Sequence, residues 1–202
     1  MIPGEDACCI LLYGDIGEYS DVTAAAIVRE LMEAEASGKR IDVRINSNGG
    51  DVYTGIAIFN ALRGSKADIH IYVDGIAASM ASVIALCGKP VEMSKYARLM
   101  LHSVSGGCYG NKTELRRCLE EVEALENTLC EMYAPKLGTS VEDIRARYFD
   151  DADHWLKADE ALALGFIDGV YDADPVPEDS TPEQVYRIFN NRLEQPLNDT
   201  QM

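Results

Sequence analysis

Apolar spacing switches repeatedly between period two and period three to four along the first half of this chain, and glycine marks most of the switches. Cys8 to Tyr13 is a short apolar run closed by Gly14, the pattern of a buried strand. Ala24, Ile27, Leu31 and Ala34 form a helical stripe, with Ser20 or Asp21 placed to cap it and Ser37-Gly38 to stop it. Ile41 to Ile45 alternates strictly, Asn46 to Gly50 is turn chemistry, and Val52, Ile56, Phe59 and Leu62 return to helical spacing up to Gly64. Ile69, Ile71 and Val73 alternate again and end at Asp74-Gly75. Ala77 to Cys87 is small and apolar on every side, which predicts a buried helix stopped at Gly88. Val91 to Met93 and Arg98 to Leu101 predict two more strands. Strands separated by helices pair in parallel and carry the helices on the sheet's faces, so the pattern predicts an α/β layered fold. Each unit delivers its loop to the same edge, the carboxyl ends of the strands, where sites in such folds collect.

The pattern changes after Gly106-Gly107. Asn111 precedes Glu114 by three positions, a helix-capping arrangement, and Leu115, Leu119, Val122, Leu125, Leu129 and Met132 follow on one side up to Pro135. A helix over about 111–134 would span roughly 33 Å. Two roles fit it: a long packing helix, or a projecting arm whose apolar stripe meets another subunit. Ser140 to Tyr148 and Lys157 to Leu164 predict short helices, and Phe166 to Tyr171 a last strand. From Asp172 onward the composition shifts, with four of the seven prolines and seven acids against two bases. Residues 1–171 are therefore expected to form the folded domain, and 172–202 an acidic, proline-rich linker or a docked short helix starting at Thr181-Pro182.

Composition narrows the partners. Over 202 residues the chain carries 34 Asp and Glu against 18 Lys and Arg, a formal net charge of −16. Such a surface repels phosphate backbones and anionic lipid, so neither nucleic acid nor a membrane is an expected partner. No apolar stretch is long enough to span a bilayer, and Met1 to Asp6 lacks the basic and apolar regions of a signal peptide. The six cysteines, Cys8, Cys9, Cys87, Cys108, Cys118 and Cys130, form no C-x-x-C pair. They suit reduced thiols in a cytoplasm better than a disulfide framework or a zinc site. The three histidines are scattered, so neither a metal nor another cofactor is expected.

Three segments carry chemistry. Asp74 to Ser82 runs from a strand through Gly75 into a buried helix. Ser79 at that junction sits in the positive field of the helix N-terminus, beside the unsatisfied N–H of Met80. Ser79 could be an N-cap or a nucleophile held as in a nucleophile elbow, although G-x-S-x-G is absent. His102 ends the apolar strand Leu99-Met100-Leu101 and precedes a glycine loop, so it is either a satisfied turn residue or a base at the functional edge. Asn46-Ser47-Asn48-Gly49-Gly50 is a turn whose paired glycines can aim backbone N–H groups at a ligand. Together these are the parts of acyl transfer: nucleophile, base and oxyanion donors. The acid that orients the base can come from Asp150, Asp151 or Asp153.

Ile45 to Gly50, Gly75 to Ser82 and Leu99 to His102 resemble, in order and rough spacing, the motifs of ClpP-type serine peptidases; Lys157 to Ala161 and Gly165 to Asp168 resemble that family's closing segment. Gly50 to Ile58 is most similar to the phage branch, the ClpP-like head maturation proteases of prophages. The resemblance implies a crotonase-like spiral of ββα units with a protruding handle helix. It implies Ser79 as nucleophile, His102 as general base and Asp153 as acid, with Asp150 and Asp151 as alternatives. The oxyanion donors would be the N–H groups of Gly50 and Met80. A peptide or protein substrate would lie as an added strand along Gly49, Asp51, Val52, Val104 and Ser105. Homo-oligomeric rings are implied, as a heptamer or double heptamer. The chain starts almost directly at its first core strand, which argues against coupling to an ATP-driven unfoldase. Two other functions compete with a serine endopeptidase. One is a catalytically latent ring scaffold. The other is a crotonase-type acyl-CoA enzyme, which needs no serine at position 79 and whose phosphates the acidic charge disfavours.

Overall fold

The computed structural model describes residues 1–3 and 7–171, together with Thr181 and Glu183. The tail predicted over 172–202 lies outside the described residues apart from those two positions. Among the described residues, one mixed sheet organises the fold. Strands β1 (Ile2–Pro3) and β2 (Ala7–Tyr13) pair antiparallel at its edge. From β2 the sheet runs in parallel through β3 (Arg40–Ser47), β4 (Ile69–Ala78) and β5 (Val91–Ser94). The connections are α1 (Ala24–Ser37), α2 (Val52–Gly64) and α3 (Met80–Ala85). Strand β6 (Arg98–Leu101) pairs with the second half of β4 rather than with β5. Helices α4 (Lys112–Leu137) and α5 (Val141–Tyr148) follow; β7 (His154–Lys157) pairs antiparallel with β6, and after α6 (Ala158–Ala163) the strand β8 (Gly169–Tyr171) closes on β5. The expected α/β fold with a parallel sheet is present. Its core is the residues that alternate inward: Ile10 and Leu12 of β2, Ile41, Val43 and Ile45 of β3, and Ile69, Ile71 and Val73 of β4.

Several boundaries differ from the sequence expectation. Strand β4 does not stop at Asp74-Gly75 but continues to Ala78, because Ala77 and Ala78 find strand partners in Leu99 and Met100 of β6. The buried helix therefore begins at Met80, not Ala77. The cap of α1 is Thr23, whose hydroxyl accepts from the Ala26 N–H; the Asp21 carboxylate instead accepts from the Asp15 N–H. The last strand is three residues long, since Phe166 and Ile167 are buried in the turn before it. Strand β7 has no counterpart in the sequence reading.

Helix α4 is 26 residues, about 39 Å at 1.5 Å per residue. Asn111 and Glu114 close a reciprocal capping box, as their spacing predicts. The helix passes through Pro135 and stops at Gly138, whose φ of 62° lies in the left-handed region. The proline forfeits a single intrahelical hydrogen bond so close to the end. Leu129, Cys130 and Tyr133 root the C-terminal half in the core, whereas Leu115 and Leu119 are 49% and 58% exposed. The C-terminal half is thus a packing helix, while the N-terminal half leaves part of its apolar stripe exposed.

Candidate active site

Ser79 sits between β4 and α3 with φ 53° and ψ −125°, a conformation rare for any residue with a Cβ. Such backbone costs on the order of 1–3 kcal/mol and persists only where its surroundings overdetermine it. Here they do. The Ser79 N–H donates to the Met100 carbonyl at 2.9 Å, which extends the β4–β6 pairing by one bond. Its carbonyl accepts from the Ser82 N–H at 3.0 Å and from Ser82 Oγ at 2.6 Å. Having donated its one proton, Ser82 Oγ accepts from the buried Tyr133 hydroxyl at 2.6 Å, which ties the junction to α4. Sequence reading missed this pair; its signal is a serine three residues after the candidate nucleophile on an otherwise apolar helix. Ser82→Ala leaves the Tyr133 hydroxyl buried without a partner. It is expected to lower stability by about 1–3 kcal/mol in denaturant unfolding, more than Tyr133→Phe, which leaves the Ser82–Ser79 bond in place.

His102 follows β6 directly. Its Nε2 lies 2.7 Å from Ser79 Oγ, and its Nδ1 lies 3.5 Å from Asp153 Oδ1. The β6–β7 register explains the second distance. Leu101 pairs with His154 in antiparallel sense, so the next residue outward on each strand, His102 and Asp153, comes side by side. Among the described residues, neither of the other two candidate acids is paired with His102. Asp150 Oδ1 is 2.7 Å from His154 Nε2, and that hydrogen bond holds the Asp150 carboxyl below its ordinary range. Asp151 has φ 67° and donates its backbone N–H to Ser103 Oγ. In the tautomer whose Nδ1 proton faces Asp153, Nε2 is the acceptor for the Ser79 hydroxyl, and the arrangement can withdraw that proton.

The glycine pair lies against this junction. A Cβ at Gly49 would sit 2.8 Å from Ser79 Cβ and 2.9 Å from the Met80 nitrogen, so no larger residue fits there. Gly50 bridges to Ile16: the Ile16 N–H donates to the Gly49 carbonyl and the Asp51 N–H to the Ile16 carbonyl. In a parallel bridge of that form the N–H of the central residue, Gly50, points the other way. Among the described residues the N–H groups of Gly50 and Met80 make no hydrogen bond. Gly55 of α2 completes the seat, since a Cβ there would fall 2.1 Å from Met80 Cγ. Gly50, Val52, Ser79, Met80, His102, Val104 and Ser105 line one cavity of about 60 Å³, floored by Val83, Leu129, Tyr133 and Phe149.

Two residues expected to line the substrate groove are not in that cavity. Gly49 packs behind Ser79, and the Asp51 carboxylate caps α2 by accepting from the Thr54 N–H and hydroxyl. The Val104 N–H donates to Glu126 Oε1 on α4 at 3.0 Å, so that edge group is already engaged. The cavity floor escaped sequence reading because its residues come from α3, α4 and the end of α5, on helices whose apolar stripes look like ordinary core. Among the described residues, no helix is long and apolar enough to cross a membrane.

Comparison with known proteins bears on this geometry. Residues 7–174 match the Clp protease family. An ATP-dependent Clp protease proteolytic subunit of Bacteroides fragilis is 32% identical over 157 residues, covering 76% of this chain and 75% of that protein. An ATP-dependent Clp protease proteolytic subunit 1 of Prochlorococcus marinus subsp. pastoris is 35% identical over 158 residues, covering 76% of this chain and 80% of its own. With most of the folded domain matched, and relatives this similar over three-quarters of its length, the chain belongs to the Clp protease family.

Proposed function

We propose that this chain is a serine endopeptidase in which Ser79, His102 and Asp153 act as nucleophile, general base and orienting acid. The observation that carries the proposal is the 2.7 Å approach of His102 Nε2 to a hydroxyl on a strained strand-to-helix junction. Ser79 Oγ attacks the scissile carbonyl while His102 takes its proton. The oxyanion that forms is held by the N–H groups of Gly50 and Met80. His102 then returns the proton to the leaving amine, and water repeats the sequence on the acyl-enzyme. Asp153 keeps the imidazole in the productive tautomer. Closing its 3.5 Å separation to hydrogen-bond length needs a movement of roughly 0.5 Å, the kind of tightening that substrate binding brings. Substrate adds as a strand along Val52, Val104 and Ser105, with one side chain in the cavity over Leu129 and Tyr133.

A fluorophosphonate that phosphonylates activated serines tests the chemistry. Intact mass should show one adduct per chain, mapped to Ser79. A protein that assembles but takes no adduct would be a scaffold, and the peptidase reading would be lost.

Assembly into homo-oligomeric rings, as heptamers or double heptamers, is part of the proposal. Its support within the chain is the outer half of α4, where Leu115 and Leu119 stand exposed on one face with Val122 and Leu125 half-buried behind them. Leu119→Glu puts a charge at a site already open to water in the single chain, so folding is unaffected, while an apolar seam between subunits would lose it. Association should weaken roughly 10- to 100-fold, read by sedimentation velocity at micromolar concentration. An unchanged size distribution would remove α4 from the interface. The narrower expectation drawn from Gly50 to Ile58, a phage head maturation protease, gains nothing from the relatives above, whose names are those of ATP-dependent Clp subunits. The proposal stops at a serine endopeptidase that assembles into rings.

A further inference from the structure

The face of the sheet opposite the aliphatic core carries Asp42 and Arg44 on β3, His70, Tyr72 and Asp74 on β4, and Glu92 on β5. A parallel sheet is usually apolar on both faces. The densest contacts on this polar face converge on one carboxylate. Asp74 takes a two-pronged ion pair from Arg44, whose Nε is 2.8 Å from Oδ2 and whose Nη2 meets Oδ1. The Tyr13 hydroxyl of β2 donates to Asp74 Oδ2 at 2.5 Å, and the Tyr171 hydroxyl of β8 donates to Oδ1 at 2.6 Å. Arg44 also lies over the Tyr72 ring, 5.6 Å from its centroid. Four strands are thus joined through a single side chain.

Asp74 stands where the strand ladder fails. On β3 the register advances two residues, Ile45 to Ser47, while on β4 it advances four, Val73 to Ala77. Pairing with β5 ends at Val73, and pairing with β6 begins at Ile76. Among the described residues Asp74 and Gly75 therefore have no register partner on either side, and it is here that β4 changes neighbours. Gly75 is pinned against Asn46, since a Cβ there would sit 2.6 Å from Asn46 Oδ1. Ile76, Ala77 and Ala78 follow, and then Ser79.

We infer that the Asp74–Arg44 pair, with Tyr13 and Tyr171, is a positioning clamp for Ser79: it fixes the bulge from which the last segment of β4 is aimed. The inference rests on the reading of Ser79 as nucleophile. An apolar pair would bury this face at least as favourably, because buried ion pairs gain little net stability over one. What the carboxylate adds is direction. Four donors in fixed places allow one orientation of the Asp74 backbone, and a shift of about 1 Å there would carry through the four residues that follow to Ser79 Oγ, enough to cost on the order of 100-fold in rate.

The experiment compares the native protein with Asp74→Ala, with the apolar pair Arg44→Met/Asp74→Leu, and with Tyr13→Phe/Tyr171→Phe. For each, the number of phosphonylated sites, the rate constant of phosphonylation, and kcat and KM on a peptide ester are measured. Asp74→Ala should label fully but roughly 10- to 100-fold more slowly, with kcat falling in parallel and KM within about twofold. Arg44→Met/Asp74→Leu should regain resistance to denaturant and stay slow. Full labelling at the native rate in either variant overturns the inference, as does a loss of labelled sites with the remaining sites reacting normally, which is the signature of partial unfolding. Should both fail to fold, the double phenylalanine variant decides, because it removes only two hydroxyls: slower labelling supports the clamp and a native rate overturns it. A native protein that takes no label overturns the peptidase reading and this inference with it, whereas normal labelling in every variant overturns this inference alone.

Discussion

Ser79→Ala is expected to lower peptide hydrolysis by roughly 10⁴- to 10⁶-fold and to abolish phosphonylation, with oligomer size unchanged. The size of the effect follows from covalent catalysis: without Oγ no acyl-enzyme forms, and only the oxyanion donors and substrate positioning remain. Assembly should survive because, among the described residues, the hydroxyl's one hydrogen-bond partner is His102 Nε2 at 2.7 Å, while the backbone bonds of Ser79 to Met100 and Ser82 do not involve it. Alanine keeps the Cβ and so carries the same strain at φ 53° as the native serine, and stability should stay near native. Ser79→Gly relieves that strain and should be the more stable of the two while equally inactive. Near-native turnover by the alanine variant would refute the assignment.

Asp153→Asn should reduce turnover by roughly 10⁴-fold, because an amide can donate to Nδ1 and so favour the tautomer whose Nε2 proton faces Ser79. Asp150→Asn and Asp151→Asn should stay within about tenfold, since neither residue faces His102 and their effects pass only through the loop they brace. The Asp150 carboxylate should remain ionised below the usual Asp range as long as its His154 hydrogen bond holds. Rates of the three variants, measured on one ester substrate, give the ranking. If Asp150→Asn proved the most damaging, the orienting role would move to that residue and the β6–β7 register would no longer account for it.

Much of the fold was legible from local pattern. The parallel core strands and the helices between them follow from periods of two and 3.6, which depend only on neighbouring residues. The capping box at Asn111 and Glu114 was legible for the same reason. Ser79, His102, Gly50 and Met80 could be picked out because strand-to-helix junctions and paired glycines have local signatures. Long-range pairing was not legible. Strand β7 is four residues, too short for its period to stand out, yet its register against β6 brings Asp153 rather than Asp150 or Asp151 to His102. The change of partner in β4, which carries the strand past Asp74-Gly75 and aims Ser79, depends on β6, whose paired residues lie 22 positions further on. The Ser82–Tyr133 hydroxyl pair spans 51 positions, and the Asp74–Arg44–Tyr13–Tyr171 cluster draws on four strands. A sequence fixes which residues are small, apolar or able to donate, but which of them meet is decided by the register and packing of distant segments, and these minimise unpaired backbone and exposed apolar surface over the whole chain at once.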